Sequence, residues 1–195
     1  MSPRVGLDRT AVVEAAAVLA DEVGFEGVTL ARLAGRLSVR TPSLYNHVDG
    51  LDGLRRELAL LGTRELGFRI GRAAVGKTAD KAVVAIAHAY RAFVKERPGL
   101  YAATIRSYRL SDPTDSELQA LEREIIGVVL DVFASYGLRG DDALHAVRGL
   151  RSVVHGFATL ESAGGFGMPL EVDESFERLL RIFVDGVRRK VAPKK

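Results

Sequence analysis

Arg40, Ser43, Tyr45, Asn46 and His47 fall within eight consecutive residues, Arg40-Thr41-Pro42-Ser43-Leu44-Tyr45-Asn46-His47. Together they offer a guanidinium, a hydroxyl, a phenol, an amide and an imidazole. The chemistry open to this set is directional hydrogen bonding rather than bond making. A carboxamide pairs in bidentate fashion with an adenine edge, a contact that discriminates between bases by about 1–3 kcal/mol. Asn46 is the only amide in the stretch.

The surrounding pattern supplies the elements that position these groups. Leu30, Leu33, Ala34 and Leu37 recur at i, i+3, i+4 and i+7, so a helix over Thr29–Arg36 buries one apolar stripe. Leu37-Ser38-Val39-Arg40 is too short to be anything but a turn. Thr41 is placed to cap a second helix, with Pro42 at the first helical position, where its missing N–H costs nothing. That helix is about two turns long. Leu44 and Val48 direct it against the first helix and leave the polar set facing outward. A short helix so decorated is a poor core element and a good reading head. The arrangement is that of a helix-turn-helix, whose second helix enters the DNA major groove.

The run Thr29-Leu-Ala-Arg-Leu-Ala-Gly-Arg-Leu-Ser-Val-Arg-Thr-Pro-Ser-Leu-Tyr-Asn-His-Val-Asp-Gly-Leu-Asp-Gly-Leu54 resembles the TetR family of bacterial transcriptional regulators. Thr29, Leu33-Ala34, Val39, Leu44-Tyr45, His47 and Val48 match that family's pattern. Upstream, Arg9–Val23 reads as a first helix, and Gly24-Phe25-Glu26-Gly27-Val28-Thr29 resembles the family's link into the second. The resemblance implies that Thr41, Pro42, Ser43 and Asn46 face bases, while Thr29, Arg40, Tyr45 and His47 hold phosphates or seat the helix in the groove. One departure stands out. Where the family commonly has a phosphate-contacting Lys at the start of the fourth helix, this chain has Leu51.

Apolar residues at helical spacing also form ordinary cores, and a helix-turn-helix occurs in proteins that never touch DNA. Two classes of function therefore stay open. One is a ligand-responsive DNA-binding repressor. The other is a helical ligand-binding or interaction protein with a vestigial helix-turn-helix, which Leu51 and the local charge balance keep in view.

The net charge of the 195 residues is +3. Residues 1–62 hold seven Arg and no Lys against eight Asp or Glu, a net −1, so the positive balance lies elsewhere. Five cations, Arg188, Arg189, Lys190, Lys194 and Lys195, fall in the last eight residues. Placement favours DNA more than the sum does: Arg32, Arg36 and Arg40 recur every four residues at the reading end. Cysteine is absent, which excludes disulfides and thiolate metal sites. With no apolar run able to span a bilayer and no signal-like start, the expected location is cytoplasmic, with no membrane partner.

Apolar periodicity and the near absence of alternating strands predict an all-α protein of about nine helices. An N-terminal three-helix DNA-binding domain over 1–50 is followed by a helical bundle over 51–195 for ligand binding and dimerisation, with helix 4 connecting them. Helix 4 runs from the Asp49–Asp52 cap to about Arg72, and Gly71, Gly76 and Thr78 mark a joint. The remaining helices fall at Ala79–Glu96, Pro98–Ser107, from a Thr114–Glu117 capping box to Gly137, at Asp141–Ser162 and at Glu174–Lys190. Leu110–Pro113 and Ala163–Pro169 read as loops.

Helices 8 and 9 carry more apolar surface than one core needs, and Gly149 and Gly156 permit close helix approach, so a homodimer is expected. Arg97-Pro-Gly-Leu-Tyr101 and Val153–Glu161 partly resemble one subclass of TetR-type C-terminal domains. The family resemblance implies a pocket for a small-molecule effector there. Tyr90, Phe93, Tyr101, Ile105, His155 and Phe157 are the candidates for its wall, which favour a largely apolar compound. His88 and His145 are expected at the surface. No histidine has metal-ligand spacing with a carboxylate, and no cofactor is implied. The chain lacks Cys, a Gly-x-Ser-x-Gly elbow and a phosphate-cradling glycine loop, so an enzyme is not expected.

Overall fold

A computed structural model describes residues 7–110 and 115–191. Among them are nine α-helices and a single 3₁₀ turn, with no strand. The helices are α1 (Arg9–Val23), α2 (Leu30–Arg36), α3 (Thr41–Leu44), α4 (Gly50–Ala74), α5 (Ala79–Glu96), α6 (Pro98–Leu110), α7 (Ser116–Ala134), α8 (Gly140–Ser162) and α9 (Val172–Val191). The expected all-α class and helix order hold. The loop expected at Leu110–Pro113 lies almost wholly outside the described residues, as does Thr114 of the capping box. No helix among the described residues is long and apolar enough to cross a membrane.

The chain forms two compact units. One consists of residues up to Arg64 together with Arg97–Gln119, and the other of Glu65–Glu96 with the chain from Ala120 onward. Helices α4 and α7 contribute residues to both.

In the first unit, Asp8 caps α1 by accepting the Ala11 N–H at 2.7 Å. Val12, Val13, Ala16, Ala17, Leu19 and Ala20 form its buried face. This face meets α6 at very short range, made possible by Gly99: a Cβ there would lie 1.9 Å from the carbonyl oxygen of Ala20. The Phe25–Gly27 turn buries Phe25 and leads into Val28, also buried. Asp115, one residue after the Thr114 at which a capping box is expected to open, caps α7: its carboxylate accepts the Leu118 N–H at 3.3 Å.

In the second unit, Ala82, Val83, Ile86, Ala87, Phe93 and Val94 of α5 are buried, with Leu150, Val154, Phe157 and Ala158 of α8 and Phe176, Leu180 and Val184 of α9. Gly137, at φ +89°, closes α7: its own N–H bonds the Ala134 carbonyl at 2.9 Å and that of Leu138 bonds Phe133 at 3.2 Å. Arg91 is the one charged residue buried among the described residues. It forks onto both Glu161 oxygens at 2.6 and 2.7 Å and onto Asp173 at 2.7 Å. Its guanidinium also lies over the rings of Phe176 and Phe157, at 4.7 and 5.4 Å from their centroids.

Candidate nucleic-acid interface

Thr29 starts the site. Its Oγ1 accepts the Arg32 N–H at 3.2 Å and so caps α2. The hydroxyl proton remains available to an outside acceptor such as a phosphate oxygen. At the other end of α2 the chain reverses through Ser38, at φ +55°. The Val39 N–H bonds the Ala34 carbonyl at 3.0 Å and the Ser38 N–H bonds Gly35 at 3.2 Å, which closes the helix with a residue in the left-handed region. This reversal turns the chain at once into α3.

The α3 helix starts one residue earlier than the sequence pattern indicates. Arg40, in extended conformation, is its N-cap, and no side chain caps it. The Arg40 carbonyl accepts the Ser43 N–H at 2.9 Å, so Thr41 and Pro42 are already inside the first turn. Four helical residues are followed by turns in which the His47 and Val48 N–H groups return to the Leu44 carbonyl at 2.9 and 3.0 Å. Leu44 and Val48 are buried, as expected. Above them Arg40, Pro42, Tyr45 and Asn46 are exposed, and Thr41, Ser43 and His47 are half-buried. Tyr45 is 60% exposed, too much for a packing residue.

The arginine row is less available than its spacing suggests. Arg36 makes a bidentate pair with Glu22 at 2.6 and 3.0 Å, a contact that raises its pKa further. Arg32 donates to the Gly27 carbonyl at 2.9 Å. Arg40 makes no such contact among the described residues. Tertiary partners on α1 and the turn, invisible in local spacing, account for the difference.

The six residues named for a ligand pocket divide between the units. Tyr90, Phe93, His155 and Phe157 belong to one, Tyr101 and Ile105 to the other. Tyr90, Phe93, Tyr101 and Phe157 are buried, whereas Ile105 and His155 are half-buried. Phe157 packs in a ring cluster with Phe166 and Phe176, at centroid distances of 4.7 and 4.9 Å. Burial, and to a lesser degree Arg151, pushes the His155 pKa down, so its neutral form is favoured. His88 is exposed as expected, and its Nε2 lies 2.7 Å from Glu177. The salt-linked Arg91 is not among the expected site residues, because nothing local pairs residue 91 with 161 and 173.

A capped α2, a left-handed reversal and a short polar α3 on an apolar footing define a helix-turn-helix protein. Comparison with known proteins agrees. Residues 83–183 match the family described as Tetracyclin repressor-like, C-terminal domain. Over 188 residues, 96% of either chain, the protein is 36% identical to the uncharacterized HTH-type transcriptional regulator YobS of Bacillus subtilis. A protein of unknown function from Rhodococcus sp. RHA1 shares its fold with a TM-score of 0.80 at 22% identity, covering 95% of this chain and 98% of that one. A single-substitution variant of TetR from Acinetobacter baumannii AYE, solved in complex with minocycline, does so with a TM-score of 0.71 at 22% identity, over 96% and 99% of the two chains. The chain belongs to the TetR family and is a DNA-binding transcriptional regulator.

Proposed function

We propose that the protein is a repressor that binds a near-palindromic operator as a homodimer and is released by a small, largely apolar ligand. Residues 1–50 read DNA, and residues 51–195 bind ligand and dimerise. The observation that carries the DNA-reading part is the sidedness of α3 and the turns that follow it, with Leu44 and Val48 buried beneath an exposed or half-buried Arg40, Thr41, Pro42, Ser43, Tyr45, Asn46 and His47. Thr41, Pro42, Ser43 and Asn46 face bases. Thr29, Arg40, Tyr45 and His47 hold the backbone and fix the register.

Exposed apolar side chains on α8 and α9 support the dimer: Leu144, Leu160 and Ile182 are 43%, 53% and 70% exposed. Gly149 is not free for a partner, since a Cβ there would meet the Phe183 ring at 3.2 Å, but Gly156 faces open space. The ligand reading is supported by the aromatic side chains of the C-terminal region and by the minocycline bound to the structural neighbour. In a dimer the two reading helices meet successive major-groove faces, which sets half-site centres about one helical turn or a multiple of it apart.

Selection of native genomic fragments by the purified protein tests the reading and recovers the operator together. An enriched near-palindrome, bound in a salt-dependent manner, is expected. Recovery of no preferred sequence would leave the chain without the proposed role.

A further inference from the structure

Most arginines between residues 7 and 64 are committed to partners within their own unit. Arg9 bonds Glu57 at 2.5 Å, Arg32 the Gly27 carbonyl, Arg36 Glu22, Arg56 Asp115 at 2.6 and 2.9 Å, and Arg64 Glu117. Two guanidinium groups of this stretch make no hydrogen bond among the described residues, Arg40 and Arg55. Arg40 is already placed on the reading head. Arg55 is the anomaly.

Its side chain is 24% exposed, and its Nε is shut off from solvent without an acceptor. The guanidinium lies 5.8 Å over the Phe25 ring. The carboxylates nearest to it, Glu26 and Asp52, both stand at 3.6 Å, beyond hydrogen-bond reach. Both are largely exposed, at 58% and 95%, so they hold the cation loosely and part from it at little cost. A guanidinium has five donors in a fixed fork that suits phosphate oxygens.

Its position makes such a phosphate available. Helical side chains lean toward the helix N-terminus, which brings Arg55 back to Asp52 in the first turn of α4. The α4 helix begins at Gly50, two residues after Val48 and six after the end of the reading helix at Leu44. Phe25 and Glu26, which also border the guanidinium, lead into Thr29 at the start of α2. In helix-turn-helix docking, the helix before the reading helix crosses the DNA backbone while the reading helix lies in the groove.

We infer that Arg55 is a phosphate ligand of the DNA-binding unit: on DNA its guanidinium leaves Glu26 and Asp52, turns outward, and takes backbone phosphate oxygens. The guanidinium gives up its place over Phe25, and Nε is released from its unsatisfied position. The inference rests on the DNA-reading role proposed above. It adds a backbone anchor on α4, where Leu51 offers none.

The test is a salt titration of wild type, Arg55→Met, Arg55→Lys and Arg40→Gln on a fluorescent duplex carrying the recovered operator. Methionine keeps an unbranched apolar stem and removes the charge. The slope of log K against log salt for Arg55→Met becomes shallower by about 0.9 per protomer engaged. Its base preference is unchanged, and Arg55→Lys regains most of the slope. A wild-type slope for Arg55→Met beside a shallower one for Arg40→Gln overturns the inference and leaves the DNA-reading role standing. Absence of salt-dependent binding by wild type overturns both. A second measurement needs no loss of the arginine: the Glu26→Gln, Asp52→Asn double variant removes the competing carboxylates and tightens binding, and unchanged affinity counts against the exchange.

Discussion

The carboxylate of Asp21, near the end of α1, accepts the backbone N–H of Gly99 in the first turn of α6 at 2.9 Å. The same group takes the Leu100 N–H at 3.0 Å and pairs with Arg97 Nε at 2.6 Å. A side chain 78 residues away thus satisfies N–H groups that α6 cannot satisfy internally. The cap and the Gly99 contact together fix α1 on α6.

Gly99→Ala tests this contact. A methyl group 1.9 Å from the Ala20 carbonyl forces the two helices apart, so a loss of at least about 1–3 kcal/mol is expected. Asp21→Ala removes the cap and costs about 0.5–2 kcal/mol. Calorimetric melting checks both. A Gly99→Ala protein melting at the wild-type temperature would show that the close approach does not hold in solution.

The Arg91–Glu161 pair predicts an acid-side stability loss. Hydrogen bonds from Arg91 hold the Glu161 carboxyl below the ordinary glutamate range, against an opposing effect of burial and with help from Lys95. The folded group binds its proton less readily than the unfolded one. Its contribution is therefore complete above the ordinary glutamate pKa and is lost as pH falls through the lower folded value. Glu161→Gln lowers the melting temperature at neutral pH and flattens its decline in acid. Arg91→Met leaves Glu161 with Lys95 alone and costs about 3–5 kcal/mol at most. Parallel pH profiles for wild type and Glu161→Gln would assign the acid loss to other groups.

How much of this was legible depended on whether a residue's partner lay within one helical turn. The α1 and α5 boundaries follow from local periodicity, as does the burial of Leu44 and Val48. Thr29 and Asp115 each accept the N–H three residues on, whereas the sequence pattern places Thr29 inside α2 and opens the α7 capping box at Thr114, a residue too early. The capping assigned to Thr41 belongs to Arg40, because the Arg40 carbonyl already accepts the first turn's bond. The pairing of Arg36 with Glu22, the Asp21 cap of α6 and the clasp around Arg91 join distant segments, which no local pattern encodes. Gly149 resembled Gly156 in sequence, yet only the first faces a ring of its own chain.

Asn46→Ala should relax specificity at one base position in each half-site, at a discrimination cost of about 1–3 kcal/mol. Tyr45→Phe, if the hydroxyl meets a phosphate, weakens all sequences alike by about 1.5–3 kcal/mol. Repeating the genomic selection with each variant separates the two effects. An unchanged motif for Asn46→Ala would remove that amide from the reading set.

Gly156→Arg is expected to abolish dimerisation and operator binding together. A Cβ at this position meets nothing within 4 Å in its own chain, so the new side chain starts out into space that a partner would fill, and a melting curve checks that the protomer still folds. Light scattering at micromolar concentration reads the oligomeric state. A monomer that still binds the operator would dissociate DNA reading from assembly.

The proposed release by a ligand would work through spacing. Two reading heads held by one dimer must match a half-site separation that the duplex fixes. A ligand that favours a dimer conformation with another spacing lowers DNA affinity, and linkage then requires DNA to lower ligand affinity by the same factor, typically about 5–150-fold. A thermal-shift screen of small apolar compounds with one polar group supplies hits, and Tyr101→Phe and His155→Leu ask which side chain anchors that group. Titrating a hit with and without operator then measures the coupling directly. Equal ligand affinity in the two titrations would mean that the compound binds without regulating, whereas a matched loss on both sides identifies the effector site.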